Sequence, residues 1–167
     1  MAISVHTITK KDIPWVTEVF QREWGADFVV SRGAKHFAAD LQGFYAADDS
    51  GKRVGLVTYE VVGNDCEMVT LNAFTDHIGI GTELVKRLRK MAIAHGCHRL
   101  WLVTTNDNLD ALRFYQRRGF TLVQVVPNAI EDSRKLKPSI PMEGFYKIPI
   151  RDEIILEMNI VKVDERR

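Results

Sequence analysis

Apolar positions along the chain change period several times, and each change predicts an element. Ile3–Ile8 reads as a short strand. Asp12 can cap a helix with Pro14 just inside it, where a missing N–H costs nothing. Ile13, Val16, Val19 and Phe20 then follow at helical spacing up to Gly25. Phe28–Val30 looks extended and Arg32-Gly33 looks like a turn. Three strands are expected next, at Phe44–Ala47, Val54–Val62 and Cys66–Phe74. They are separated by Asp48-Asp49-Ser50-Gly51 and Gly63-Asn64-Asp65, both of which are turn chemistry. From Leu84 the period switches from 2 to 3.6. Leu84, Val85, Leu88, Met91 and Ala92 make one stripe, and Lys86, Arg87, Arg89 and Lys90 make the outer face.

Leu100–Val103 is a short continuous apolar run, as a strand covered on both faces requires. The polar cluster Asn106-Asp107-Asn108 can cap a helix ending at Gly119. Phe120–Val126 and Ile154–Val163 read as the last two strands. The order is strand, helix, three strands, helix, strand, helix, strand, long loop, strand. Antiparallel hairpins followed by a strand–helix–strand unit predict an α/β (α+β) fold: a mixed, mostly antiparallel sheet of six to seven strands with helices on both faces.

Composition narrows the function classes. The chain has 167 residues, 46% hydrophobic and 27% charged, enough for one domain (1–167) with a core that needs no disulfide or metal. Lys and Arg number 23 against 22 Asp and Glu, a net charge of +1, which argues against a nucleic-acid binder. No apolar run approaches the ~20 residues of a membrane span. The opening residues lack the pattern of a secretory signal, so a cytoplasmic protein is expected. Cys66 and Cys97 form no C-x-x-C pair, and neither has an activating partner in sequence. The five histidines do not have the spacing of a zinc site, and no metal is expected.

The chemistry concentrates where the third central strand meets the long helix, in Asn72-Ala73-Phe74-Thr75-Asp76-His77-Ile78-Gly79-Ile80-Gly81-Thr82. Two glycines one residue apart let backbone approach a ligand, and the following helix offers amides to an anion. The pair reads equally as a tight turn with glycines for conformational reasons. A dinucleotide fingerprint is excluded, because Leu84 stands where its third glycine belongs and the turn follows an antiparallel meander.

One strand downstream runs Asn108-Leu109-Asp110-Ala111-Leu112-Arg113-Phe114-Tyr115, closing on Gly119-Phe120. This N-x-x-A-x-x-x-Y segment, together with the glycine turn in that order, resembles the GCN5-related N-acetyltransferases over about residues 44–126. The resemblance implies a GNAT-like sheet and acetyl-CoA as co-substrate. It assigns the pyrophosphate to amides of Ile78, Gly79, Ile80, Gly81 and Thr82. It assigns the thioester carbonyl to the Leu71 N–H, with Ala73 further along the arm, a donor that would stabilise the oxyanion. Tyr115 would protonate the departing thiolate, or merely pack its ring on the sheet. Asn108 would touch the cofactor or simply cap its helix. The family usually carries Arg or Gln where this chain has Asp76, whose charge must point outward or be balanced by His77 or Lys86.

A general base is also needed. Glu67 shares the face of Leu71 by even spacing and is the first candidate, with Glu153 the second. Residues 127–151, with four prolines and no periodic pattern, are expected in extended form, as an acceptor-side flap or as a loop that simply covers the sheet edge. Within it Arg134, Lys135 and Lys137 are either an anion-holding group or a solvated basic turn. Trp24 and Phe28 either wall the acceptor pocket or belong to the core. The expected activity is direct acetyl transfer to a primary amine, more naturally that of a small molecule. The alternatives are a protein N-terminal or lysine acetyltransferase and a non-catalytic CoA-binding regulatory module. A homodimer is compatible with these readings, whereas nucleic-acid and membrane partners are not expected.

Overall fold

The computed structural model describes residues 2–76 and 79–161. Its elements in chain order are β1 (Ser4–Thr7), α1 (Ile13–Trp24), β2 (Phe28–Ser31), β3 (Ala34–Phe37), β4 (Gln42–Ala47), β5 (Arg53–Val62), β6 (Asp65–Ala73), α2 (Ile80–Ala94), β7 (Arg99–Thr105), α3 (Leu109–Arg117), β8 (Thr121–Val126), α4 (Ala129–Leu136) and β9 (Glu153–Asn159). Among the described residues, seven strands hydrogen-bond in the order β1-β4-β5-β6-β7-β9-β8, and β2 and β3 form a separate hairpin. The mixed, mostly antiparallel sheet is the one the period changes predict. Contacts divide the chain into two compact units, residues 1–13, 41–100 and 159–167 in one and 14–40 with 101–158 in the other.

In the first unit β1, β4, β5 and β6 form an antiparallel meander. Val54, Leu56 and Val57 of β5 are fully buried, as are Ile80, Leu84 and Leu88 of α2. The close approach of α2 to β5 depends on Gly55. A Cβ there would lie 2.6 Å from Ile80 Cγ2 and 3.0 Å from Leu84 Cδ1. Gly55 pairs with Ala73 and Val57 with Leu71, so these residues share the face that α2 covers. Asp12 is not the helix cap that its place before Pro14 predicts. Thr9 caps a single 3-10 turn (Lys10–Asp12) ahead of α1, and Asp12 accepts hydrogen bonds from the Thr9 backbone N–H (2.8 Å) and hydroxyl (3.0 Å). Its second oxygen takes Arg53 at 2.7 Å. These bonds, chiefly that from the Thr9 backbone, hold the carboxyl below its ordinary value.

In the second unit β8 pairs antiparallel with β9. The β2–β3 hairpin turns at Arg32-Gly33, as expected, and is tied to the start of β9 through Glu153. The stretch 127–151 is not the extended segment its prolines suggest, because it contains the eight-residue helix α4. Ile130 and Ser133 of α4 are buried. One buried apolar residue in two turns is too short a stripe to show a helical period. Its last turn is followed by Lys137, whose amine donates to the Phe28 carbonyl at 3.1 Å.

Candidate active site

The described part of the glycine turn, at Gly79 and the start of α2, has the features an anion cradle requires. Phe74 closes β6 by donating its N–H to the Val54 carbonyl at 2.8 Å. Gly79 is the N-cap of α2 with φ of +100°, a conformation L side chains rarely adopt, and it offers no capping side chain. Amides in the first turn of a helix have no intrahelical carbonyl to bond, and the aligned peptide dipoles favour an anion there. Ile80, buried against β5, fixes the direction of that turn. The residues present therefore fit a pyrophosphate. Ile78 and His77 lie outside the described residues. Asp76 is exposed, and Lys86 pairs with Glu83 of its own helix at 3.7 Å. Among the described residues Lys86 makes no ion pair with Asp76.

Strand alternation orients the amides of β6. Neighbouring residues send their N–H groups to opposite edges, and the Phe74 N–H points to β5. Those of Ala73 and Leu71 lie one step and three steps from residue 74 in the alternation, both odd separations. Ala73 and Leu71 therefore present their N–H groups to the edge away from β5, the orientation a thioester donor needs.

Glu67 requires a correction. Thr58 pairs with Thr70 but Tyr59 pairs with Met68, so Val69 is an extra residue and β6 carries a β-bulge. A bulge reverses the side-chain parity beyond it. Leu71, with Val57, shares a face with Met68 and Tyr59. Glu67 pairs with Glu60 and lies on the opposite face, with Thr70 and Asn72. Even spacing fails because it assumes an unbroken strand. Glu67 is nonetheless 8% exposed, and Thr58 and Thr70 join their hydroxyls at 2.5 Å on the same face.

The second unit carries α3. Asn108 caps it, its Oδ1 accepting the Ala111 N–H at 3.4 Å. The two residues before it brace the long connection, which sequence reasoning missed. Asn106 donates to the Pro149 carbonyl (2.9 Å) and accepts from the Arg151 and Asp152 amides (3.0 Å each). Asp107, buried, accepts from the Thr105 hydroxyl (2.5 Å) and the Phe145 amide (3.0 Å). The Asn-Asp-Asn run was the available signal, but it looks the same whether it caps one helix or binds a distant loop. Tyr115 of α3 is half-buried, its ring edge-on to Phe114 (5.4 Å) and Phe120 (5.7 Å). Burial raises its phenol well above the ordinary value. The hydroxyl therefore keeps its proton at neutral pH, the state a general acid requires.

The other candidates make contacts within the protein. Both oxygens of Glu153 are engaged by Arg32, at 2.9 Å to the guanidinium and 3.1 Å to the backbone N–H. Arg134 donates to the carbonyls of Ile140, Pro141 and Ile150, Lys135 pairs with Asp132, and Lys137 is buried. Neither a solvated basic turn nor an open anion site describes Arg134 and Lys137. Trp24 packs edge-on to Phe20 at 5.3 Å, and Phe28 lies against Phe37 at 5.3 Å. Burial raises the Cys66 thiol to about 12, which leaves it inert as a nucleophile. Among the described residues no group of three or more His, Cys, Asp or Glu side chains is placed to hold a metal. No described helix is long and apolar enough to cross a membrane.

Comparison with known proteins agrees with this fold. The chain is 42% identical over 142 residues to the uncharacterized protein YdhI of Bacillus subtilis (strain 168), covering 84% of this chain and 88% of the relative. Its fold is similar to that of an IAA acetyltransferase from Bacillus cereus ATCC 14579, with a TM-score of 0.72 at 19% identity, covering 95% and 99% of the two chains. It is also similar to a GNAT family acetyltransferase from Elizabethkingia anophelis with acetyl-CoA bound, with a TM-score of 0.68 at 17% identity, covering 94% and 97%. The model of the acetyltransferase (GNAT) family matches residues 9–120, which take in the uncapped turn at Gly79, the donor edge of β6 and the helix of Tyr115. On that match the chain belongs to the acetyltransferase (GNAT) family.

Proposed function

We propose that this protein transfers an acetyl group from acetyl-CoA directly to a primary amine, and that the acceptor is a small molecule. The observation that carries the reading is the pairing of an uncapped helix start at Gly79 with a strand whose Leu71 and Ala73 amides face away from β5. The turn binds the diphosphate and the strand receives the thioester. Hydrogen bonding from the Leu71 N–H to the carbonyl oxygen strengthens as negative charge develops there, and so lowers the barrier. The amine nitrogen forms a bond to the carbonyl carbon, the carbon–sulfur bond breaks, and the amine loses a proton to a base. Tyr115 supplies a proton to the sulfur. Glu67 is the proposed base, acting through water. It stands two rungs beyond Thr70 and four beyond Asn72 in β5 register (Glu60, Thr58, Leu56). At ~3.4 Å per residue that places it ~14 Å along the strand from Asn72, too far for direct transfer.

The test is release of free thiol from acetyl-CoA with a panel of tyramine, glycinamide, spermidine, lysine and a short peptide. Turnover with a small amine supports the reading, and turnover with the peptide alone makes the protein a protein acetyltransferase. Acetyl-CoA binding without thiol release from any acceptor overturns transfer in favour of a CoA-binding module.

A further inference from the structure

Next to Leu71 on β6 the fold leaves a polar group unanswered. Asn72 Oδ1 is buried and accepts no hydrogen bond among the described residues. Packing alone does not call for a carboxamide there. The residue paired with it across the ladder is Leu56, fully buried and apolar, and a buried acceptor without a donor costs stability. The Thr58 and Thr70 hydroxyls on the same face bond to each other at 2.5 Å, and neither reaches Asn72 Oδ1. Register places Asn72 on the face turned away from α2, whereas Leu71 faces α2. The carboxamide thus stands on the side of the strand opposite the anion-binding turn, one Cα step, about 3.8 Å, from the residue whose amide receives the thioester.

We infer that Asn72 positions the attacking amine, with Oδ1 accepting one of its N–H groups. The inference rests on the acetyl-transfer reading above. An amine approaching a carbonyl directs its lone pair at carbon and its N–H bonds outward, so an acceptor beside the carbonyl orients the lone pair. A neutral carboxamide takes no proton, so Asn72 is a positioning residue and the proton leaves by another route. This division of work specifies the acceptor class. A neutral primary amine has two N–H groups, one for Asn72 and one to surrender to the base. A secondary amine has a single N–H and cannot serve both. Asn72 therefore makes the site select primary amines over their N-methyl counterparts.

The experiment compares tyramine with N-methyltyramine and glycinamide with sarcosinamide, by thiol release, in wild-type protein and in Asn72→Leu, Asn72→Ala and Asn72→Asp. For Asn72→Leu the expected results are an unchanged acetyl-CoA Kd, an amine KM raised about tenfold and a primary-to-secondary kcat/KM ratio falling towards one. The melting temperature should not fall, since the unpaired oxygen is gone. Asn72→Asp restores an acceptor atom and should bring the amine KM back to within about threefold of wild type. If Asn72→Leu does not fold, Asn72→Ala against Asn72→Asp reads the same ratio. Wild-type turnover with an unchanged amine KM and ratio in the folded Leu or Ala variant overturns this inference alone. Absence of wild-type thiol release with every amine overturns the transfer reading and this assignment with it.

Discussion

Gly55 has no side chain to take part in the proposed chemistry, yet its packing against Ile80 should make it a sensitive control over cofactor binding. In Gly55→Ala the new Cβ would sit 2.6 Å from Ile80 Cγ2, 3.0 Å from Leu84 Cδ1 and 3.0 Å from the Asn72 carbonyl oxygen. Carbon atoms in contact prefer about 3.5–4.0 Å, so Ile80 must withdraw by ~1 Å. Its β-branched side chain has almost no alternative rotamer in a helix, and the first turn of α2 has to move with it. Overpacking of this kind costs ~2 kcal/mol, which lowers Tm by about 4–8 °C for a chain of this size. The same displacement misaims the amides after Gly79. Spoiling one charge-assisted hydrogen bond to phosphate, worth ~1.5–3 kcal/mol, weakens acetyl-CoA binding at least about tenfold. Isothermal titration with acetyl-CoA and a melting curve measure both effects. Val19→Ala, which removes buried methyl groups from α1 at a similar cost of ~2 kcal/mol, controls for stability alone and should leave the affinity unchanged. Equal affinity losses in the two variants, or none in Gly55→Ala, would refute the coupling of β5 packing to the anion cradle.

Three further outcomes are expected. Tyr115→Phe should lower kcat about 10²–10⁴-fold with acetyl-CoA Kd intact, and the alkaline limb of the wild-type rate profile should lie above the ordinary phenol range, because burial raises that group. An alkaline limb surviving unchanged in the Phe variant would remove Tyr115 from the acid role. Asp12→Asn should cost ~1 kcal/mol at neutral pH through the Thr9 capping box. The Asp12 carboxyl is held below its ordinary 3.8, so its contribution is complete above that value and is lost as pH falls through the depressed one. The variant's stability should therefore depend less on pH in that acid range, and a wild-type slope in acid unfolding would count against the assignment. Asp107→Ala should strip partners from the Phe145 amide and Thr105 hydroxyl, cost ~1–3 kcal/mol, and speed amide hydrogen exchange at Phe145. Unchanged exchange there would mean the loop is held by its other bonds.

The elements whose period is long or sharply bounded were legible in advance. The β4–β6 meander, the α2 stripe from Leu84 to Ala92, the Arg32-Gly33 turn and the Asn108–Phe120 segment all lie where the residue pattern puts them. They are local, since a strand alternates and a helix repeats without reference to anything distant. The glycine turn was legible for the same reason, because a positive φ at residue 79 is written into the residue type.

What escaped the pattern depends on long-range pairing. The bulge at Val69 arises from how β6 meets β5, and it alone moves Glu67 to the face opposite Leu71, the face of Thr70 and Asn72. Helix α4 has too few buried apolar residues to be seen without its packing. Arg134, Asn106 and the Oδ2 of Asp107 find their backbone partners from 6 to 46 positions away. Their polar atoms are satisfied by backbone groups that the fold brings to them, and a backbone carbonyl carries no mark in the residue string of which side chain will reach it.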